Sequence, residues 1–201
     1  MNQIALPLGW PADERQEDFI VTDSNARAVR HLEHWGTWPV MATMLTGPRK
    51  SGRSLLGRLF AKKSNGRVID DADRKPEEEL FHAWNAAQES HCPLLLVADQ
   101  APPAWKVRLP DLRTRLSATP VISLGDPDDM LTAGLIEKLL LQRNLQVPTG
   151  LVPWLAPRIE RTHIGIIQAV DALDEAALAK RVRISVRLAR DTFGVKQEDF
   201  F

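Results

Sequence analysis

Eight residues of this chain, Gly47-Pro48-Arg49-Lys50-Ser51-Gly52-Arg53-Ser54, combine types and spacing suited to holding phosphate. Two glycines at this separation let backbone N–H groups curl around an anion at a helix N-terminus, the arrangement written G-x-x-x-x-G-K-[S/T]. The position that ordinarily carries lysine is Arg53. Its guanidinium keeps the positive charge but replaces a compact ammonium with a broad planar fork. That suits phosphate binding better than efficient hydrolysis.

Two further polar positions stand where such a loop would use them. Arg67-Val68-Ile69-Asp70-Asp71 ends a short apolar run in paired acids. Downstream of a phosphate loop, a carboxylate at a strand end is placed to hold magnesium beside the phosphates. Pro93-Leu94-Leu95-Leu96-Val97-Ala98 ends at Asp99, again a polar side chain at the C-terminal strand edge, where open parallel sheets bind ligands. The other reactive side chains assemble nothing. His31 and His34 stand three apart with no further zinc ligands in sequence, His82, His91 and His163 are scattered, and Cys92 has no local base to activate it.

The elements that must position these residues can be read from periodicity. The apolar run from Pro39 to Leu45 leads into the loop as a strand, and Leu55 to Phe60 continues from it with helical spacing, reaching about Lys62. Further strands are predicted at 67–70, 93–98 and 120–124. Between them lie a helix opening at Pro76-Glu77-Glu78-Glu79, with Leu80, Phe81, Trp84 and Ala87 as a buried stripe rather than a cofactor site, and a short helix over 109–116. Strands alternating with helices describe an α/β fold with an open parallel sheet. Ahead of them, Phe19-Ile20-Val21 precedes Asp23-Ser24-Asn25, a polar cluster suited to capping a helix through Ala26, Val29 and Leu32.

From Gly125 the character changes. Asp126-Pro127-Asp128-Asp129 opens a helix running through Leu131, Leu135, Leu139 and Leu140 to about Gln142, Pro148-Thr149-Gly150 breaks it, and helices over 151–160 and 162–177 follow. This reads as a small all-helical domain with its boundary near 125. The stretch 180–190 alternates basic and apolar residues and is expected as a short strand passing into a last helix turn. Without interleaved aromatics it reads as a solvated face rather than a DNA contact.

Composition excludes several classes. Lys plus Arg and Asp plus Glu are both 26, so no net positive charge points to nucleic acid. A single cysteine rules out an internal disulfide and fits a reducing compartment. No apolar run approaches the roughly 20 residues of a membrane span, and the first residues lack a basic leader, so a cytoplasmic protein is expected.

Phosphate loop, acidic strand end, polar strand end, Arg-bearing helix and helical lid, in that order, resemble the AAA+ ATPases. Phe19-Ile20-Val21 through Ser24-Asn25 is similar to the segment where the bacterial initiator DnaA holds adenine. Asp99-Gln100-Ala101-Pro102-Pro103 with Leu109-Pro110-Asp111-Leu112 before Arg115-Leu116 looks like that family's sensor and arginine-finger region. Within this branch the chain resembles the Hda family, the regulatory inactivators of DnaA. That family also tolerates Gly-Arg-Ser at the end of its loop, as Gly52-Arg53-Ser54 does here, and opens on a short clamp-docking peptide that Gln3-Ile4-Ala5-Leu6-Pro7-Leu8 matches. By position alone that peptide reads as a strand packed on its own domain; the resemblance reverses this reading.

The resemblance implies an AAA+ P-loop domain over 13–125, lacking one edge strand of the usual five, followed by a helical lid with a basic tail over 126–201 and preceded by a clamp-binding peptide over 1–12. Only 13 residues separate Ser54 from Val68, too few for the strand and helix that normally intervene. It implies nucleotide contacts from Gly47, Pro48, Ser51, Gly52, Arg53, Ser54, Leu55, Ile20, Val21, Asp99 and Arg161, with ADP or ATP as the nucleotide. Mg²⁺ would be held by Asp70 and Ser54, and Asp71 would occupy the catalytic-acid place. Arg115 would be an arginine finger acting on nucleotide in a neighbouring subunit. Gln3, Ile4, Leu6, Pro7 and Leu8 would dock on the DNA polymerase III sliding clamp. The partners implied are that clamp and DnaA, with a homodimer allowed for, no membrane and no sequence-specific DNA contact, since the chain stops where DnaA would add its DNA-binding domain.

One departure bears on hydrolysis. The place of the lid's sensor arginine falls on Ile164, with Arg158 and Arg161 nearby. Together with Arg53 it implies weak or absent intrinsic hydrolysis. Competing readings are a stand-alone AAA+ ATPase acting as loader or remodeller, and a clamp adaptor whose nucleotide site is vestigial.

Overall fold

A computed structural model describes residues 19–194 of the chain. These fall into two compact units dividing between Asp126 and Pro127. The candidate clamp-binding residues Gln3, Ile4, Leu6, Pro7 and Leu8 lie outside the described residues.

In the first unit, helix α1 (Asp23–Glu33) precedes strand β1 (Ala42–Thr46), helix α2 (Arg53–Ser64), strand β2 (Arg67–Ile69), helix α3 (Glu77–Ser90), strand β3 (Leu94–Val97), helix α4 (Pro110–Ala118) and strand β4 (Val121–Ser123). The strands form one four-stranded sheet in the order β2-β3-β1-β4, and every pairing is parallel. Register sets Ala42 opposite Leu94 and Met44 opposite Leu96.

Because side chains alternate across a strand, these residues pack on one face with Leu80, Ala83 and Leu112 of α3 and α4. Leu45, Leu95 and Val97 pack on the other with Val29, Leu32, Leu56 and Phe60 of α1 and α2. A sheet covered on both faces explains why β1 and β3 are buried throughout and read as continuous apolar runs. The connection from α2 to β2 is two residues, Asn65 and Gly66, leaving no room for another strand.

The start of α1 differs from expectation by one residue. Its N-cap is Thr22, not Asp23-Ser24-Asn25. Asn25 turns back instead: its Oδ1 accepts the Thr22 N–H at 3.0 Å and its Nδ2 donates to the Ile20 carbonyl at 2.8 Å. The reciprocal geometry is that of a capping box with asparagine in the third position.

The second unit contains helices α5 (Asp129–Gln142), α6 (Leu151–Leu155), α7 (His163–Lys180) and α8 (Val186–Phe193). Ile136, Leu140, Leu151, Leu155, Ile166, Val170 and Leu173 form its core. Three of the four helices open on side-chain caps: Asp128 accepts the Leu131 N–H at 2.7 Å, Thr162 that of Gly165 at 3.0 Å and Ser185 that of Leu188 at 3.1 Å.

Two expectations are corrected here. The helix predicted over 151–160 ends at Leu155 and tightens to a 3-10 turn over Ala156–Arg158, because Pro157 offers no N–H to continue it. The stretch 180–190 contains no strand. Arg181 closes α7 in a left-handed conformation and Ser185 caps α8. Its alternation hides a helical face, for α8 buries the adjacent Leu188 and Ala189, with Ile184 buried just ahead of it.

Candidate functional site

The loop between β1 and α2 has its expected shape. Gly47 has φ +146°, and a Cβ on it would sit 2.8 Å from the Leu124 carbonyl oxygen. Gly52 is left-handed at φ +88° and is the N-cap of α2 without a side-chain cap. Both positions therefore demand glycine, the first by contact as well as conformation. Pro48 accepts the Ser51 N–H at 3.3 Å. A Cβ on Gly52 would meet the Phe19 ring at 3.1 Å, so Phe19 lies against the loop.

Arg53, in the first turn of α2, points to the end of β3. Its Nη2 donates to Asp99 Oδ1 at 2.6 Å, and its Nη1 donates to the Ala98 carbonyl. Its side chain is 12% exposed and that of Asp99 30%. Two further guanidiniums converge on the same carboxylate: Arg74 at 3.1 Å from Oδ2 and Arg49 at 3.9 Å. The Arg53 hydrogen bond, then the charges of Arg53, Arg49 and Arg74, hold the Asp99 carboxyl below the usual carboxylate range against the opposing effect of its desolvation. β1 and β3 are neighbours in the sheet, so their C-terminal ends bring loop and Asp99 together. Arg74 arrives from the 3-10 turn Ala72–Arg74 that follows β2.

Ser54 and Leu55 occupy the first turn of α2, exposed and half-buried respectively. The Ser51 hydroxyl is buried without a hydrogen-bond partner among the described residues, an unspent donor in the loop. With the left-handed glycines and a bare helix N-terminus, this set fits an anion such as phosphate. Ile20 and Val21 are half-buried ahead of α1.

Asp70 and Asp71 stand exposed after β2, with Asp71 left-handed at φ +51° and its N–H donating to Asp70 Oδ1 at 3.2 Å. Among the described residues no group of three or more His, Cys, Asp and Glu could hold a metal by itself. One carboxylate with one hydroxyl suits a magnesium ion that takes its other ligands from phosphate and water. Of the histidines set aside as zinc ligands, His31 lies 3.0 Å from Thr43 Oγ1, and His34 Nδ1 lies 2.8 Å from the Arg30 carbonyl.

Arg115 is not near a loop residue in any observed contact; it belongs to a cradle on α3. Its guanidinium stacks over the Phe81 ring at 4.3 Å and lies 5.4 Å from the Trp84 ring. Its Nε donates to Asn85 Oδ1 at 2.8 Å, and its Nη1 to the Asp111 carbonyl at 3.3 Å. Trp84 Nε1 donates to Thr119 Oγ1, which in turn donates to the Arg115 carbonyl. Of the stripe expected to be wholly buried, Leu80 and Ala87 are, whereas Phe81 and Trp84 are half-buried and hold this arginine. Their spacing alone, with no sign of Arg115 thirty residues on, could not have separated the two uses.

In the second unit Arg161 pairs with Asp129 at 3.0 Å, both exposed. Arg158 lies 4.6 Å over the Trp154 ring, and Ile164 is exposed. Both arginines near the sensor position thus have local partners.

No protein-family model matches the chain. An uncharacterized protein of Haemophilus influenzae is 29% identical over 111 residues, covering 55% of this chain and 48% of that one. The chain therefore spans about half the length of this curated relative. Among solved structures, domain III of the Thermotoga maritima replication initiation protein DnaA matches with a TM-score of 0.69 at 15% identity, over 90% of this chain and 97% of that one. AMPPCP-bound DnaA from Aquifex aeolicus matches at 0.60 with 18% identity, over 82% and 67%. The Thermotoga maritima RuvB Holliday junction branch migration motor matches at 0.61 with 16% identity, over 88% and 69%. At such identities the likeness is one of fold, and the nucleotide in the Aquifex structure is a property of that protein.

Proposed function

We propose that this chain, whose fold is that of a DnaA-like AAA+ domain, is a regulator of replication initiation that holds spent nucleotide itself and acts on ATP held by DnaA. In this reading the loop 47–54 binds ADP, the residues Gln3 to Leu8 dock on the sliding clamp, and Arg115 is presented to DnaA-bound ATP.

The observation that carries this reading is the commitment of Arg53. Both its Nη atoms are spent on the Ala98 carbonyl and the Asp99 carboxylate, so the residue in the lysine position is not left to neutralise charge developing on a γ-phosphate. Backbone N–H groups at the start of α2 and the Ser51 hydroxyl remain for a diphosphate. Mg²⁺, if bound with the nucleotide, would be held by Asp70 and Ser54 and would neutralise phosphate charge. Asp71 stands in the catalytic-acid place, next to that carboxylate. Arg115 supports the second half of the reading: a guanidinium stacked on Phe81 and hydrogen-bonded to Asn85 has lost much of its rotamer freedom before any partner arrives, which lowers the cost of presenting it.

The decisive experiment is Arg115→Ala in an assay of ATP hydrolysis by DnaA on clamp-loaded DNA. The variant folds and binds the clamp normally but loses stimulation, by about 10³- to 10⁵-fold for a finger supplied in trans. Normal stimulation by this variant overturns the proposal. Clamp docking is tested separately by a pull-down of Gln3→Ala with Leu6→Ala, in which retained binding removes that part of the reading. Calorimetric titration with ADP and ATP, with no binding by either, would favour the adaptor reading.

A further inference from the structure

We infer that Asp99 is a resident counter-anion of the phosphate loop, holding Arg49 and Arg74 in place of a nucleotide's phosphates until a diphosphate takes these two arginines over. This rests on the nucleotide-binding reading above and concerns how that site sets its affinity.

Three guanidiniums from three separate segments meet one carboxylate: Arg49 from the loop, Arg53 from α2 and Arg74 from the turn after β2. A structural ion pair needs one of them. The other two share its charge and stay exposed, placed to take up a further anion. A diphosphate is such an anion, and the glycine loop with the unpartnered Ser51 hydroxyl adjoins the cluster in sequence.

The three arginines divide by burial. Arg53 is 12% exposed and is also tied to the Ala98 carbonyl, so it stays on the strand end as a strut. Arg49 and Arg74 are 67% and 56% exposed, each holding Asp99 by one contact of 3.9 and 3.1 Å. Exposed contacts of this kind are weak enough to exchange, and the two together set the size of the competition. These two therefore swing from carboxylate to phosphate oxygens, and Asp99 keeps Arg53. Each arriving diphosphate must displace the carboxylate from two partners, so Asp99 lowers the affinity of the loop.

The test is calorimetric titration of the full chain with inorganic pyrophosphate and with ADP, at several salt concentrations, for wild type, Asp99→Asn and Arg74→Gln. Neutral asparagine has nearly the same shape and removes the competing charge. Asp99→Asn is expected to bind pyrophosphate roughly tenfold more tightly, with a steeper fall in affinity as salt rises, because more unneutralised charge meets the ligand. Arg74→Gln is expected to bind severalfold more weakly with its unfolding midpoint little changed. Equal or weaker binding by Asp99→Asn while wild type binds overturns the counter-anion role and leaves the nucleotide reading standing. If Asp99→Asn does not fold, Arg74→Gln decides: unchanged pyrophosphate affinity in that folded variant overturns the inference. No binding of pyrophosphate or ADP by wild type overturns both.

Discussion

Arg53 illustrates how a residue can be read correctly for charge and incompletely for partner. Its place in the loop was legible from the spacing of Gly47 and Gly52. Its engagement with Asp99, 46 residues on, was not, because it depends on β1 and β3 being adjacent with a crossover between them. Lysine in its place would keep one charge but could not reach the Ala98 carbonyl and the Asp99 carboxylate as a fork. Arg53→Lys is therefore expected to lower stability by about 1–3 kcal/mol, the usual cost of losing a hydrogen bond to a charged group in a partly buried site. Chemical denaturation measures it. The acid limb gives the sign: Asp99 titrates lower in the folded chain than in the unfolded one, so its contribution is present above the unfolded carboxylate range and is lost as pH falls through the folded value. The difference between wild type and Arg53→Lys should shrink over that acid range. A difference that persists unchanged to low pH would show that Asp99 is not what Arg53 holds.

Helices α3 and α4 act together as the mount for Arg115, and one carboxylate joins them. Glu77, in the first turn of α3, accepts the Arg108 N–H at 2.8 Å and the Leu109 N–H at 2.6 Å, just before α4 begins. These two backbone bonds, the Arg108 one first, hold its carboxyl below the usual range. The sequence showed Glu77 only as an acid in the opening turn of its own helix, where it suits the helix dipole. That reading is sound but local, and the same carboxylate also fixes the entry to a second helix 31 residues away. A group with a depressed folded value contributes above its unfolded range and loses that contribution as pH falls through the folded one. The Arg108 and Leu109 amide resonances are accordingly expected to move together on acidification, with a midpoint below the ordinary carboxylate range, and to be flat in Glu77→Gln. Amides that titrate identically in that variant would remove Glu77 from the mount. The cradle residues Phe81, Trp84 and Asn85 escaped the sequence for a related reason: a helical stripe shows what turns inward, not which long side chain from a later helix will cover its rim.

At the scale of the whole molecule the sheet was legible, and the partners gathered at its edge were not. Strands buried on both faces must be apolar along their length, so β1 and β3 stood out. The short link between Ser54 and Val68 left room for a four-stranded sheet, and that is the sheet observed. The ends of elements were less legible where a cap or a proline decided them, as at Ser185 and Pro157. The proposed phosphate site, by contrast, is built from parts that exist only when the sheet is assembled: β1 supplies the loop, β3 supplies Asp99 and the turn after β2 supplies Arg74. An unfolded chain therefore has no comparable site, and on the proposed function any nucleotide bound must appear as stability. ADP at a hundred times its dissociation constant is expected to stabilise the chain by about 2.7 kcal/mol, rising with the logarithm of ADP concentration. With six tryptophans in the chain, fluorescence-monitored denaturation can follow this directly. Asp70→Asn should remove the part of the gain that depends on Mg²⁺ and leave the remainder, since the loop's own donors do not pass through that carboxylate. A denaturation midpoint indifferent to ADP in wild type would mean that loop, strand end and turn converge for packing alone. A gain indifferent to Asp70→Asn would instead take the magnesium away from the end of β2.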